Sequence, residues 1–469
     1  MKKLLSLCVA ACASVLLADA PHIAPASVSF DYNPETRIAS MRYTLSGAPA
    51  IVTADIQTNR TGAATAVESD WVSIGGEHQR TLSGDVHRLV EGDGEHLAIW
   101  NPDEDLGDVE LPVGATRATF TAWSPATPPD YLVVDLRISS NRWYYADEAH
   151  LPRGGIGSDF YRQDAIVMRK IPAAGVKWTM GASSDRCFPS HYDTNVQQHY
   201  VKLTNDYYMA VFELTIGQAR KLSTIEWVNG YINSLCYYDE DRKAYVKAYQ
   251  HFASYNEGDT NNCPAIETTW AFLRGTVDSA TSVTNWPTCR HWVLPASLLG
   301  RARTKTGVDF DLPTEAQWEF AARGGLGTMT SLGDFSAAAE SRRLYLNPLA
   351  WYNETTGSQG KGTLRRVGTK LPNSFGIYDM LGNVDEMCLD WYDENYGLDL
   401  SDVENTVFVE PEGPATGDAH VCHGAYVRWD YPSVHVASRH VHQMWFGVRL
   451  MCPVGLVFPD GEKKVPGLE

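Results

Sequence analysis

Leu312-Pro313-Thr314-Glu315-Ala316-Gln317-Trp318-Glu319-Phe320-Ala321-Ala322-Arg323-Gly324-Gly325 is the stretch from which the fold is read outward. Thr314, followed by Gln317, forms a capping box: the hydroxyl accepts from the amide of the third helical residue, and the glutamine side chain reaches back to the cap. Gly324-Gly325 supplies the left-handed residue that ends a helix. One helix is therefore expected here, with residues 215–222 a shorter second candidate. Around it, residues 161–453 are rich in Trp and Tyr, dense in turn signals and poor in long periodic runs. A chain of this kind folds around a few helices, with irregular loops pinned by aromatic cores.

Upstream the pattern changes. Met41, Tyr43 and Leu45 alternate with polar residues, and residues 51–56, 97–100, 118–123 and 131–136 are β-rich. Asn33-Pro34, Ser46-Gly47, Gly75-Gly76 and Gly92-Asp93-Gly94 separate these runs. Short strands so punctuated predict an antiparallel β-sandwich over residues 21–136. Residues 137–160 read as a linker, 161–453 as a second domain and 454–469 as a tail. The fold class is α+β. No cluster in the first domain carries chemistry, which points to a binding, spacer or packing role.

Met1-Lys2-Lys3 is basic, residues 4–17 are apolar, and Ala18-Asp19-Ala20 has the form a signal peptidase reads. Residues 1–20 are expected to be a signal peptide, with an extracellular or periplasmic destination. Val9-Ala10-Ala11-Cys12 resembles a lipobox, so a lipoprotein is the rival reading and a buried N-terminal helix the structural one. Cys187, Cys236, Cys263, Cys289, Cys388, Cys422 and Cys452 follow, an odd set whose spacing matches no zinc ribbon or thioredoxin motif. The chain has 57 acidic against 39 basic residues, a net charge of −18, and so repels phosphate backbones; no nucleic-acid partner is expected. Beyond the N-terminus no apolar run of about 18 residues exists, so no membrane span is expected.

Further segments decide the class of the second domain. They are Asn373-Ser374-Phe375-Gly376-Ile377-Tyr378-Asp379-Met380-Leu381-Gly382-Asn383-Val384-Asp385-Glu386-Met387, the closing Phe446-Gly447-Val448-Arg449-Leu450, and the earlier Met180-Gly181 and Phe212-Glu213-Leu214-Thr215. In this order, with the capped helix, they resemble the formylglycine-generating enzyme family, the sulfatase-modifying-factor domain. The resemblance implies a variant of the C-type-lectin fold. For the family's enzymes it implies a copper-dependent oxidase that uses O₂ to turn a sulfatase cysteine into formylglycine. Two thiolates, a seat suited to soft Cu(I), hold that copper. Anchored on Ala437-Ser438-Arg439, the family's cysteine positions fall on Tyr431 and Val436. Neither supplies sulfur, and Ala322 stands where a further family cysteine is expected. Copper is therefore not expected and no catalytic residue is assigned.

The resemblance also implies a structural calcium ion on the side chains of Asp379 and Glu386 and the carbonyls of Gly382 and Val384, hard oxygens from one tight loop. Asp385 and Met387 stand where the family has Trp. A loop held by hydrogen bonds alone is the alternative.

His420, His423, His435, His440 and His442 crowd one C-terminal stretch. On a strand His440 and His442 share a face, and with His435 they could bind Zn²⁺, Cu²⁺ or Fe²⁺. The bland alternative is a set of loop and surface imidazoles. The same stretch corresponds to the family's active-site region, and it presents Tyr426, Arg428, Trp429, Tyr431, His435 and Trp445. Aromatic faces beside Arg and His suit a glycan or a protein ligand. Two functions follow: a non-catalytic binding module without the copper pair, or an active formylglycine-generating or other metal-dependent oxidoreductase of the same family.

Overall fold

The computed structural model describes residues 20–59, 67–107, 114–139, 141–183, 196–223, 236–239, 244–247, 260–266, 269–275, 293–356, 364–441 and 446–455. Residues 1–19 of the expected signal peptide, Cys187, Cys289, His442 and Trp445 lie outside the described residues. The chain forms two compact units. The first comprises Met1–Ser73 and Thr81–Ser124, the second Ile74–Arg80 and Pro125–Glu469.

The first unit is built of two antiparallel sheets. One joins His22–Ile23, Ser29–Asn33, Ile38–Ser46, Ser83–Gly84 and Gly94–Trp100; the other joins Ala50–Asn59, Trp71–Ser73, Arg88–Val90 and Thr116–Trp123. Alternation along Ile38–Ser46 turns Met41, Tyr43 and Leu45 inward, each at most 1% exposed. Tyr43 meets Phe120 of the opposite sheet at 4.5 Å between ring centroids. Leu45, Val52 and Val90 complete this layer, so the inward rows of both sheets make one sandwich core.

The strand expected to close that sandwich belongs elsewhere. Tyr131–Asp135 pairs with Ala165–Ile171 on one side and Asn141–Tyr145 on the other, inside the second unit. The first unit therefore ends at Ser124, and the expected linker contains a strand. The physical reason is burial on both faces: all five residues of Tyr131–Asp135 are buried. A strand of that kind shows no alternation that would assign it to one core.

The second unit's main sheet runs Asn141–Tyr145, Tyr131–Asp135, Ala165–Ile171, Tyr207–Ala210 and Met451–Pro453, all antiparallel. The expected helix is present as Glu315–Arg323. Thr314 Oγ1 accepts from the Gln317 amide at 3.2 Å, Thr314 N donates to Gln317 Oε1 at 2.9 Å, and Gly324 ends the helix at φ 60°. The shorter candidate is Ile216–Leu222, capped by Thr215 with Gln218 in a second box. Every residue of Glu315–Arg323 is buried, including two glutamates and an arginine. Such a helix needs internal partners for its charges. One, His423, comes from a three-stranded sheet whose middle strand, Asp385–Trp391, runs antiparallel to His420–His423 and parallel to Phe446–Gly447.

Candidate functional site

Asp385–Trp391 carries three buried acids: Asp385, Glu386 and Asp390. Each needs a compensating partner, because burying a charge is costly unless it is paired.

Glu386 finds Arg449 and Trp318. Arg449 Nη2 lies 2.6 Å from Oε1, its Nε 3.0 and 2.9 Å from the two oxygens, and Trp318 Nε1 donates to Oε2 at 2.6 Å. The same guanidinium donates to the carbonyls of Ala210, Val211 and Tyr378. The quoted motifs thus meet in space. Asn383 Nδ2 donates to Glu213 Oε2 at 2.6 Å, and Gly181 N to Glu319 Oε1 at 2.9 Å. The turn before the strand is tight: Asp379, Gly382 and Asn383 have φ of 56°, 81° and 63°. A Cβ on Gly382 would lie 2.3 Å from the Trp351 carbonyl oxygen, so this position requires glycine.

The expected calcium donors were tested against this geometry. Four N–H contacts already occupy the lone-pair directions of Glu386. Asp379 Oδ2 accepts from Gly368 N at 2.5 Å, and Oδ1 is buried without a partner. Burial raises the Asp379 carboxyl to about 6, against the Gly368 amide and Arg449. Burial, then Asp379 and Glu386, push Glu213 well above the usual carboxylate range. With Glu386 committed to Arg449 and Trp318, the expected donor set does not fit a calcium ion.

Glu315, the first residue of its helix, is held by Arg439, whose Nη2 is 2.9 Å from Oε2, and by His423 Nε2 at 3.2 Å from Oε1. Burial raises this carboxyl, but Arg439 and His423 outweigh it and hold it down at about 2. His423 stacks on Trp318 at 4.6 Å. Asp390 Oδ2 accepts from Glu315 N at 2.7 Å, and burial with Glu315 pushes its carboxyl well up.

Asp385 faces His440. Nε2 of His440 is 3.2 Å from Oδ2 of Asp385 but not in hydrogen-bonding position, and the Trp429 ring packs on the imidazole at 4.2 Å.

Tyr431 and Val436, onto which the resemblance places the family's cysteines, are both packed against protein groups. Val436 is buried, with its amide donating to the Met329 carbonyl, and Tyr431 is half-buried under Arg342 at 4.3 Å. Cys422 and Cys452 stand in different sheets, on His420–His423 and Met451–Pro453, and Cys452 Sγ contacts Met168 Sδ at 3.7 Å. Tyr426 lies in an apolar cluster with Ile216, Cys263, Val384 and Val427, and His435 is 1% exposed, so both are buried. The expected ligand face thus narrows to exposed Arg428 with half-buried Trp429 and Tyr431. Among the described residues no three His, Cys, Asp or Glu side chains converge to hold a metal, so the structure does not bring His435 and His440 into such a group. Sequence reading missed Glu213, Glu315, Trp318, Arg439 and Arg449 as partners. Their signal was charge embedded in otherwise apolar motifs.

A family model described as the sulfatase-modifying factor enzyme 1-like domain matches residues 171–451, more than half of the chain. The chain belongs to this family. The formylglycine-generating enzyme of Streptomyces coelicolor is 34% identical over 123 residues, 24% of this chain and 37% of that protein. That of Thermomonospora curvata is 30% identical over 164 residues, 33% of this chain and 52% of that protein. The matched stretches thus span between about a third and a half of these relatives. Among solved structures, PvdO from Pseudomonas aeruginosa is similar at 16% identity and a TM-score of 0.42, covering 61% of this chain and 94% of that one. Among the described residues no helix is long and apolar enough to cross a membrane.

Proposed function

We propose that this member of the sulfatase-modifying factor family is an exported binding module that recognises a glycan or protein ligand and does not oxidise cysteine. The reading rests on Tyr431 and Val436, a phenol and a buried isopropyl group at the positions where the resemblance expects the family's thiolates. Cu(I) needs soft sulfur donors, and an aliphatic side chain offers none. Arg428, Trp429 and Tyr431, on the turn between His420–His423 and Phe446–Gly447, supply a planar and cationic surface suited to a ligand. Export rests on the basic, apolar and A-x-A order of residues 1–20.

The test is O₂ uptake by full-length purified protein given Cu(I) and a cysteine-containing sulfatase peptide, run beside a glycan and protein binding screen. No turnover, with ligand binding weakened by Trp429→Ala, is the expected result. Formylglycine production would overturn the reading.

A further inference from the structure

Asp385 and His440 face each other apart from the other buried ion pairs. They are 0% and 3% exposed, and all four of their side-chain polar atoms lack a hydrogen-bond partner. A buried carboxylate with no donor is strongly unfavourable, as is an imidazole with neither nitrogen satisfied. Both backbones are fixed. Asp385 begins the central strand opposite Phe446, and His440 exchanges two backbone hydrogen bonds with Cys422 at 2.9 and 3.1 Å.

The separation of the two groups is informative. Oδ2 and Nε2 are 3.2 Å apart without hydrogen-bond geometry. Two ligands each about 2.1 Å from one tetrahedral ion stand roughly 3.4 Å from each other, close to this separation. We propose that Asp385 and His440 are neighbouring ligands of one borderline divalent cation of the zinc type. One carboxylate oxygen with one imidazole nitrogen suits such an ion, and suits neither Cu(I), which prefers sulfur, nor Ca²⁺, which prefers all-oxygen shells. No third His, Cys, Asp or Glu joins them among the described residues, so water or a donor atom of a bound ligand would have to complete the shell. Val441, next in the chain, is 44% exposed, and half-buried Trp429 covers the imidazole, so the pair sits one residue below the surface. The site is not inherited from the resemblance, which places Trp at position 385, and it does not depend on the ligand-binding reading.

The experiment is isothermal titration of metal-free, full-length protein with Zn²⁺, together with Asp385→Asn and His440→Gln. One saturable site is expected in the native chain, weakened at least tenfold in each variant. X-ray absorption of the native chain loaded with one equivalent of Zn²⁺ is expected to show a nitrogen and oxygen shell with an imidazole contribution, a result that stands even if a variant fails to fold. Absence of Zn²⁺ binding, native-like titration of both variants, or a shell of sulfur or of oxygen alone would each overturn the proposal and leave a simple acid–imidazole pair.

Discussion

Arg449 grips Glu386 through three N–H···O contacts of 2.6 to 3.0 Å, with both side chains at 0% exposure. This pair joins the end of the family motif at residue 449 to the start of the central strand, and its spare donors tie in three backbone carbonyls.

Removing one partner strands the other charge in the core. Arg449→Met is expected to cost about 3–5 kcal/mol, the range for breaking a buried pair from one side. Urea unfolding followed by tryptophan fluorescence measures it. A loss below about 1 kcal/mol would mean the pair does not anchor the strand.

The Thr314 cap offers a smaller, local test. Its hydroxyl satisfies the Gln317 amide, and its own amide is satisfied by the Gln317 side chain. Thr314→Ala should cost about 1 kcal/mol, within the usual range for lost caps. Thr314→Ser, which keeps the hydroxyl, should recover most of that.

His420 predicts a pH dependence. Its ring lies between Trp270 at 3.6 Å and Trp391 at 3.8 Å, with Nδ1 3.0 Å from the Leu389 carbonyl oxygen. Burial holds the imidazole down at about 4. The folded value lies below the unfolded value of about 6.5, so folding favours the neutral ring. This contribution is complete above pH 6.5 and is lost as pH falls from 6.5 through about 4, for a total of about 3 kcal/mol. Denaturant midpoints from pH 7 to 4 should therefore fall more steeply for the native chain than for His420→Gln. Parallel curves would show that the ring is not held neutral by the stack.

Calcium removal is expected to do little. Glu386 is bound to Arg449 and Trp318, and Asn383 links Glu213 to the tight turn, so protein groups hold the loop. EGTA should leave Tm unchanged in differential scanning calorimetry. A drop of several degrees, reversed by Ca²⁺, would show that an ion seats on Asp379 after all.

Much of this was legible in the sequence. Both capped helices, the inward row of Met41, Tyr43 and Leu45, and the family-like motifs are local patterns, set by hydrogen bonds three residues apart or by side-chain period. The domain boundary was less legible, because a strand buried on both faces carries no sidedness. The site was read least well. Tyr426 and His435, expected from the resemblance to face a ligand, are buried. Trp318, Arg439 and Arg449 gave no hint of the carboxylates they meet.

The amino-acid order alone determined which segments cap, alternate and turn. Each of those depends on residue identity or on neighbours a few positions away. Only the tertiary structure decided that Glu315 meets Arg439, that Glu386 meets Arg449, and that Asp385 is left facing His440. Those choices depend on which buried charges come within a few ångströms after distant segments pack, where desolvation makes the presence or lack of a partner decisive.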